Sequence, residues 1–261
     1  MSQDFTGQVA IITGGSDGIG LATAKLLAQR GATVAICARR PEKLAEAKAE
    51  IEKVGKVEVH QLDVSDEQAF IAVIEDVAKR HGRLDMLVNN AMSVHYAPIS
   101  RLSLEHWRKD FAVNADAVFI GTKTAMKIMS GQEMHGRQRG AIVNISSTCG
   151  IRAAANMSSY SASKAALIQF TAAAAMEGAR KAIRVNAIVP GQVQTPSTED
   201  FAAKAPEIAA KTADAIPMGR GGQPEELAEA IVFMLSDAAS YITGMALPVD
   251  GGKSAQLYMP G

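Results

Sequence analysis

Short apolar runs alternate with longer amphipathic or alanine-rich segments along the chain. Seven runs rich in valine and isoleucine predict strands, and most are apolar on both faces, as a sheet covered by helices on both sides requires. The predicted strands are Val9–Thr13, Thr33–Ala38, Val57–Leu62, Met86–Asn89, Ala141–Ser146, Arg184–Val189 and Ala246–Val249. Helices are predicted near residues 19–30, 41–54, 66–81, 103–130, 158–180 and 224–236. Repeated strand–helix alternation indicates right-handed crossovers and therefore an α/β fold with a doubly wound parallel sheet.

Composition favours one globular domain. The 261 residues are 48% hydrophobic, which is enough for a packed core, and no linker, low-complexity tract or internal repeat divides them. Equal numbers of basic and acidic side chains, 27 of each, argue against a nucleic-acid partner, because such proteins need clustered Lys and Arg. We therefore expect a single domain over residues 1–261.

The compartment and the class of partner follow from a few further features. The two cysteines, Cys37 and Cys149, are too few for a disulfide scaffold and favour a reducing compartment. The amino terminus shows no secretory signal, and no apolar run approaches the roughly 18 residues of a membrane span. No group of Cys and His has metal-ligand spacing. The sequence thus predicts a cytoplasmic protein with neither a membrane partner nor a metal.

A glycine-rich turn directly follows the first predicted strand and precedes the first helix. Glycines let a backbone turn tightly and approach a pyrophosphate, which the free N–H groups of the helix then stabilise. Glycines also occur in ordinary turns, but the order strand, turn, helix favours a dinucleotide site. The candidate cofactor-binding residues here are Gly14, Ser16, Asp17, Gly18, Ile19 and Gly20.

The end of the second strand indicates which dinucleotide binds. A site for NAD(H) has an Asp or Glu about 20 residues beyond the glycines, yet no carboxylate lies between Leu21 and Pro41. Arg39 and Arg40 stand there instead and can pair with a 2′-phosphate, although they could also be simple solvated residues. We therefore expect NADP(H) rather than NAD(H). Asp17 opposes this choice if it points at the phosphate, but as a helix-start carboxylate it can point elsewhere.

Asp63 and Val64 follow the third strand. This position suits contact with adenine. Asp63 could equally cap the helix that begins near residue 66, and the sequence alone leaves both alternatives open.

Tyr160 and Lys164 are four residues apart in a strongly helical segment and so share one helix face. A phenol beside an ammonium is easier to ionise and can give a proton to a carbonyl oxygen or take one from an alcohol. Ser147, at the end of the fifth strand, offers a hydroxyl for the same oxygen. A Tyr–Lys pair at this spacing is common by chance, so it carries little weight alone.

Together these motifs give a clear resemblance. The chain resembles the short-chain dehydrogenase/reductase family over nearly its whole length. The residues that carry the resemblance are Thr13-Gly14…Gly18-Ile19-Gly20, Asn89-Asn90-Ala91, Asn114, Ser146-Ser147, Tyr160…Lys164, Pro190-Gly191…Thr195, Arg220, Gln223–Glu226, Thr243-Gly244 and Val249–Gly252. The family usually has glycine where this chain has Met92, which we interpret as a sign of substrate specificity.

The resemblance implies a role for each matching residue. Tyr160 would be the catalytic acid/base, Lys164 would lower its pKa and bind the nicotinamide ribose, and Ser147 would orient the substrate oxygen. Asn114 would hold a water of the proton relay, and Asn90 would contact the cofactor ribose. Thr195 would bind the carboxamide. The segment that carries Pro190, Gly191 and Val193 would line the nicotinamide. The family fold is a Rossmann-like sheet of seven parallel strands, commonly in a homotetramer packed through the long helices.

The substrate is expected between the loop after the fourth strand and a helical lid near residues 195–218. Candidate substrate contacts are Met92, Val94, Ser147, Cys149, Met157 and Phe201. These mostly apolar side chains favour oxidoreduction of a ring ketone, a steroid-like molecule or a 3-oxoacyl chain. A 3-oxoacyl-thioester reductase acting on a carrier protein would need basic residues at the entrance, for which Arg152, Arg137 and Arg139 are the candidates. A catalytically silent dinucleotide-binding regulator is less favoured, because both Tyr160 and Lys164 are present.

Overall fold

The computed structural model describes residues 4–256, apart from the side chains of Ser197 and Phe201. Within this range seven parallel strands form one sheet in the order β3-β2-β1-β4-β5-β6-β7. The strands are β1 Val9–Thr13, β2 Thr33–Ala38, β3 Lys56–Gln61, β4 Met86–Asn89, β5 Gly140–Ile145, β6 Ile183–Pro190 and β7 Ala246–Val249. The predicted doubly wound sheet is confirmed. Its strand order reverses between β1 and β4, and such reversals open a crevice at the carboxyl ends of the strands.

Helices connect the strands on both faces. They are α1 Gly18–Gln29, α2 Pro41–Ile51, α3 Glu67–His81, α4 Leu104–Phe111, α5 Ala117–Ser130, α6 Ser158–Ala179, α7 Pro196–Lys204, α8 Pro206–Asp214 and α9 Pro224–Leu235. The helix predicted over 103–130 is interrupted by a π-helical turn, Ala112–Asp116. Such turns insert one residue into a helix and often mark functional positions. The segment predicted as a lid contains two helices, α7 and α8, separated by Ala205.

The core lies in two layers, one on each face of the sheet. Alternate residues of β1 face opposite layers, with Ile12 in one and Ile11 in the other. The first layer contains buried side chains of α1, α2 and α9, and the second contains those of α3, α5 and α6. The central strands therefore need apolar residues at nearly every position, which is the pattern that predicted them.

Candidate active site

A cleft of about 710 Å³ lies at the carboxyl ends of the strands. Every predicted cofactor-binding residue except Gly20 lines it, and so do the catalytic candidates Ser147, Tyr160 and Lys164. Of the predicted substrate contacts, Met92, Val94, Cys149 and Met157 line it as well. The Phe201 side chain lies outside the described residues. One continuous cleft thus brings together residues that are far apart in sequence.

The glycine turn forms one wall of this cleft. Gly14 and Gly18 adopt backbone φ angles of +64° and +49°, which residues other than glycine rarely adopt. Gly20 lies behind the turn, where a Cβ would stand 2.2 Å from the Gly14 carbonyl oxygen and 2.6 Å from Asn90 Nδ2. The amino terminus of α1 opens here, with Asp17 as its cap accepting a 2.8 Å hydrogen bond from the Gly18 N–H. The turn therefore depends on glycine for backbone conformation and for close packing.

Replacing Gly20 with alanine is expected to distort the turn. The added Cβ cannot coexist with the Gly14 carbonyl, so the backbone must shift at a cost of roughly 1–3 kcal/mol. We expect a lower Tm and at least about tenfold weaker dinucleotide binding, measured by thermal denaturation and by NADPH fluorescence titration. Gly131→Ala is the matched control, because the nearest atom to a Cβ there is 3.7 Å away. Unchanged binding in Gly20→Ala would contradict the close packing of this turn.

Arg39 and Arg40 reach the cleft at the end of β2, and both are exposed. Arg40 Nη2 stands 3.6 Å from Asp17 Oδ2, whereas Asp17 Oδ1 caps α1. The Asp17 carboxylate is thus divided between a helix terminus and an arginine. This arrangement offsets the repulsion that Asp17 would exert on a bound phosphate.

The start of α3 decides whether Asp63 caps that helix or is available to the cleft. Asp66 caps this helix by accepting a 3.0 Å hydrogen bond from the Ala69 N–H. Asp63 instead accepts hydrogen bonds from the N–H and hydroxyl of Ser65 at 3.0 and 2.7 Å, and lines the cleft with Val64. Partial burial opposes ionisation, but the Ser65 hydrogen bonds prevail and hold the pKa of the Asp63 carboxyl below its usual value. Asp63 is therefore not the helix cap.

Tyr160 and Lys164 are buried in the first turns of α6, with exposed fractions of 7% and 2%. Lys164 Nζ donates a 2.7 Å hydrogen bond to the Ile145 carbonyl and lies 5.8 Å from the centre of the Tyr160 ring. The Ser147 hydroxyl accepts a 3.1 Å hydrogen bond from the Cys149 N–H. Two hydroxyls and an amine therefore meet at one end of the cleft.

The charges at this end differ from the expectation. We expected Lys164 to lower the pKa of Tyr160. Burial instead raises the pKa of Tyr160 to about 12, although a hydrogen bond with Ser147 opposes the increase. Burial also lowers the pKa of Lys164 to about 7, so its charge at neutral pH is incomplete. Burial of the phenol is the largest cause of the raised pKa of Tyr160 and opposes the lowering expected from Lys164.

The buried amine predicts a pH-dependent cost to folding. Because the pKa of Lys164 is lowered in the folded protein, the cost of burying it is full below about pH 7 and declines as pH rises toward its ordinary value of 10.5. The change in Tm that Lys164→Met causes relative to wild type should therefore be several degrees more positive at pH 7 than at pH 10. The measurement is thermal denaturation at both pH values, with the exposed Lys123→Met as control. A Tm difference that is the same at both pH values would contradict the lowered pKa.

Asn114 lies in the π-helical turn and is fully buried. Its side-chain Nδ2 donates to the Ser93 carbonyl at 2.8 Å and to the Ser163 hydroxyl at 3.0 Å, and its Oδ1 accepts from the Ser93 N–H at 3.0 Å. Both amide donors are thus used to fix the loop after β4 to α6. The water-holding role implied for this residue cannot depend on those donors.

Asn90 and Thr195 face the glycine turn from two directions. Asn90 Nδ2 donates to the Thr13 and Gly14 carbonyls at 3.0 and 3.1 Å, which ties the end of β4 to the turn. Across the cleft, the Thr195 side chain lies 3.0 Å from where a Cβ on Gly18 would stand. The segment after β6 therefore packs against the glycine turn that precedes α1.

The substrate end of the cleft is formed mainly by uncharged side chains. Met92 is 53% exposed at its rim, and its φ angle is not positive, so this position does not require glycine. Thr198 and Thr212 of the two lid helices and Gln192 after β6 also line the cleft, inside segments that the sequence placed there without singling out these side chains. Gln192 Oε1 is buried and has no hydrogen-bond partner among the described residues. Nothing in the local sequence marks this glutamine, because its burial depends on how distant loops pack.

Comparison with known proteins places this arrangement in a family. A family model described as enoyl-(acyl carrier protein) reductase matches residues 14–254. A 3-oxoacyl-[acyl-carrier-protein] reductase of Thermotoga maritima is 42% identical over 248 residues, which cover 94% of this chain and 97% of the relative. The chain belongs to the short-chain dehydrogenase/reductase family. Accordingly it is an oxidoreductase with a Rossmann-like fold that binds NAD(P).

Other members of the short-chain dehydrogenase/reductase family are similarly close. The cis-4-hydroxycyclohexanecarboxylate dehydrogenase of Sinomonas cyclohexanicum is 39% identical over 261 residues, covering 98% of this chain and 100% of the relative. The crystal structure of levodione reductase superposes with a TM-score of 0.91 at 34% identity, covering 97% of this chain and 100% of that one. The crystal structure of a putative NAD(P)-dependent gluconate 5-dehydrogenase from Beutenbergia cavernae, with bound NADP at low occupancy, superposes with a TM-score of 0.90 at 36% identity. The match covers 98% of this chain and 100% of that one.

Proposed function

We propose that this enzyme interconverts a secondary alcohol and a ketone on an uncharged, apolar substrate with NADP(H), and that cyclic ketones are its main substrate class. One observation carries the proposal. The hydroxyls of Ser147 and Tyr160 and the amine of Lys164 meet at the apolar end of a cleft whose other end holds the glycine turn and the two arginines. The relative named cyclopentanol dehydrogenase and the neighbour named levodione reductase support the choice of uncharged ring substrates. The relative named for cis-4-hydroxycyclohexanecarboxylate supports a ring substrate, although that compound carries a carboxylate on the ring.

The cleft has features suited to a bound dinucleotide. The turn is shaped by glycines that approach other backbone closely, and the buried Gln192 Oε1 has no partner in the described chain, so a polar ligand can satisfy it. When bound, NADP(H) supplies or accepts the hydride. The residues that would hold it are Gly14, Ser16, Asp17, Gly18, Ile19, Gly20, Arg39, Arg40, Asp63, Val64, Asn90, Tyr160, Lys164, Pro190, Gly191, Val193 and Thr195, of which Gly20 acts from behind the turn.

The proton steps are carried by the chain's own side chains. In reduction, the Tyr160 hydroxyl donates a proton to the carbonyl oxygen while the Ser147 hydroxyl holds that oxygen. In oxidation, Tyr160 accepts the proton from the alcohol. In its protonated form Lys164 supplies positive charge near the tyrosine, and Asn114 fixes the π-helical turn through which a water relay returns the proton. Because ionising a buried tyrosine is costly, the nearby amine is needed at the moment of transfer.

NADP(H) is proposed over NAD(H) because of the side chains at the end of β2. Arg39 and Arg40 are exposed at the cleft, and no carboxylate occupies the usual position for binding ribose hydroxyls. The Asp17 carboxylate faces Arg40 rather than standing alone. A 2′-phosphate at this edge of the cleft therefore has two cations within reach.

A carrier-protein substrate is the second candidate, favoured by the 3-oxoacyl reductase of Thermotoga maritima. The predicted entrance cations do not support it. Arg137 and Arg139 precede the amino end of β5, where the Arg139 N–H donates to the Ala182 carbonyl. The cleft lies at the other end of this strand, and the length of the strand, about 20 Å, separates the two arginines from it. Arg152 is exposed and donates a 3.0 Å hydrogen bond to the Ser254 carbonyl, but it is not among the residues that line the cleft. A free ketone is therefore preferred over a carrier-bound one.

The proposal extends to the assembly, the compartment and a substrate lid. Phe119 of α5 and Met176 of α6 are 49% and 65% exposed, which suits packing of these helices in a homotetramer. Cys37 and Cys149 are both unpaired, as expected in the cytoplasm. No helix among residues 4–256 is long and apolar enough to span a membrane. Helices α7 and α8 would act as the substrate lid, because Thr198 and Thr212 line the cleft.

A spectrophotometric screen tests the proposed function. NADPH oxidation is followed with uncharged cyclic ketones, steroid ketones, 3-oxoacyl thioesters and small aldehydes, each repeated with NADH. Turnover of cyclic ketones with NADPH supports the proposal. Turnover of acyl thioesters alone would favour the second candidate, and NADPH binding without turnover of any substrate would favour a silent regulator.

A further inference from the structure

The loop after β4 places alternate side chains on opposite sides. Met92, Val94 and Tyr96 line the cleft, whereas the two residues between them, Ser93 and His95, both bond to Asp110 on α4. Such alternation is typical of extended backbone, in which successive side chains point to opposite faces. Whatever holds the Asp110 side of the loop therefore sets the position of the cleft side.

Asp110 is a fully buried carboxylate that accepts hydrogen bonds from three residues in two segments, the loop after β4 and helix α6. It accepts from the Ser93 hydroxyl at 2.8 Å, from His95 Nδ1 at 2.7 Å and from the His95 N–H at 3.3 Å. It also accepts a 2.5 Å hydrogen bond from the Ser159 hydroxyl on α6. Burial opposes ionisation, but these hydrogen bonds hold the pKa of the Asp110 carboxyl below its usual value. An ionised carboxylate that is fully bonded joins the loop to two helices.

The contact with Ser159 reaches the catalytic tyrosine. Helix α6 has no acidic residue in its first turn, and its cap residue Met157 makes no side-chain hydrogen bond. Asp110 brings a negative charge from α4 to this uncapped helix start, where a carboxylate is favourable. Ser159 immediately precedes Tyr160 in that first turn. The same carboxylate therefore lies between the substrate loop and the helix start that carries the acid/base.

Other contacts restrain the loop without replacing this carboxylate. Asn114 binds both backbone groups of Ser93, and the Ala97 N–H donates a 3.0 Å hydrogen bond to the Asn156 carbonyl. The His95 ring stacks on His106 of α4 with ring centres 4.2 Å apart. These contacts fix the two ends of the loop and one face of the histidine. Only Asp110, among the described residues, accepts from the side chains of both Ser93 and His95.

We propose that Asp110 is a positioning residue that sets the substrate wall formed by residues 92–96 and aligns it with Tyr160. It contacts neither substrate nor cofactor. The inference deepens the proposed function, because its kinetic consequences rest on ketone turnover. Since the wall binds the ketone and the glycine turn binds the dinucleotide, losing Asp110 should affect the two ligands differently.

Asp110→Asn in the full-length enzyme is the direct test. The amide keeps the volume but removes the charge and presents N–H donors to the Ser and His donors, so the loop loses its anchor. At saturating NADPH we expect the KM for a cyclic ketone to rise at least about tenfold, with NADPH affinity unchanged within about twofold. An unchanged KM would overturn the proposal.

Asp85→Asn is the matched control. Asp85 is also a buried carboxylate, 2% exposed, but it binds the Val9 N–H and Arg83 at the amino edge of the sheet. Asp85→Asn should lower Tm without raising the KM for the ketone. An equal increase in KM in both variants would show that general destabilisation, rather than positioning, explains the effect.

Variants of His95 keep the test decisive if Asp110→Asn does not fold, since this side chain is partly exposed. His95→Ala removes one donor to Asp110 and should raise the KM for ketone severalfold. His95→Asn retains a side-chain N–H and should restore part of the loss. Equal KM values for His95→Ala and wild type would contradict the proposal.

Amide hydrogen exchange provides a readout that does not depend on turnover. In Asp110→Asn or His95→Ala, exchange in residues 93–97 should accelerate at least about tenfold, whereas the amides of β6 should be unaffected. If the wild type reduces no ketone, the proposed function fails, and the exchange result still decides whether Asp110 anchors the loop. Unchanged exchange in 93–97 would overturn the inference.

Discussion

Tyr160→Phe is expected to lower kcat for ketone reduction by about a thousandfold while leaving NADPH affinity within about twofold of wild type. The substitution removes only the hydroxyl oxygen, and the ring stays in the buried space that it occupies at the start of α6. Ser147 can still hold the substrate oxygen, but nothing at that position can then donate the proton. Single-turnover kinetics with pre-bound NADPH separate this loss from effects on binding.

Tyr241→Phe is the matched control for the tyrosine prediction. Tyr241 is fully exposed and does not line the cleft, so Tyr241→Phe removes the same hydroxyl without altering the site. Its kcat should equal that of the wild type. Substantial activity in Tyr160→Phe, with Tyr241→Phe unchanged, would require another proton donor and would remove Tyr160 from the mechanism.

The double variant Arg39→Ala/Arg40→Ala is expected to weaken NADPH binding about a hundredfold and NADH binding no more than about twofold. A hydrogen bond to a charged group contributes about 1.5–3 kcal/mol, and part of the Arg40 contribution is offset by its ion pair with Asp17. Because NADH lacks the 2′-phosphate, it does not use these contacts. Fluorescence titration with both dinucleotides measures the difference.

A second double variant controls for the loss of positive charge. Arg137→Ala/Arg180→Ala removes the same charge from exposed positions that precede the amino ends of β5 and β6. It should leave both dissociation constants unchanged. If the Arg39/Arg40 variant weakens NADH and NADPH equally, the arginines do not recognise a 2′-phosphate and the preference for NADP(H) is wrong.

Much of the fold could be predicted because the sheet is buried on both faces. β1, β2, β4 and β7 begin and end where the apolar runs do, and the remaining strands differ by one residue at either end. The glycine turn was identifiable because its spacing reflects backbone constraints that act locally. Helical spacing places Tyr160 and Lys164 on one face, but the pair was identifiable only together with Ser147 and the other motifs that resemble the short-chain dehydrogenase/reductase family.

What could not be predicted depends on contacts between distant segments. Asp17 and Arg40 meet only when the turn after β1 packs beside the end of β2. Likewise, Asp110 and His95 are fifteen residues apart and approach each other because a loop folds back over α4. The raised pKa of Tyr160 is mainly a consequence of its burial, which a helical spacing does not reveal.

The basic residues show the same limitation. Arg137 and Arg139 are close in sequence to the catalytic strand β5, and so they could be expected near the substrate. Because they precede that strand, they lie at the opposite edge of the sheet from Ser147, which follows it. Sequence proximity to a strand is thus informative about a site only when the end of the strand is known.

The initial rate of reduction of an uncharged six-membered ring ketone by the wild-type enzyme, measured with NADPH and NADH side by side, tests the proposed substrate class and cofactor together. We expect turnover with NADPH and a kcat/KM for NADPH at least about tenfold above that for NADH. Absence of ring-ketone reduction with NADPH, or a preference for NADH, would contradict the proposed function.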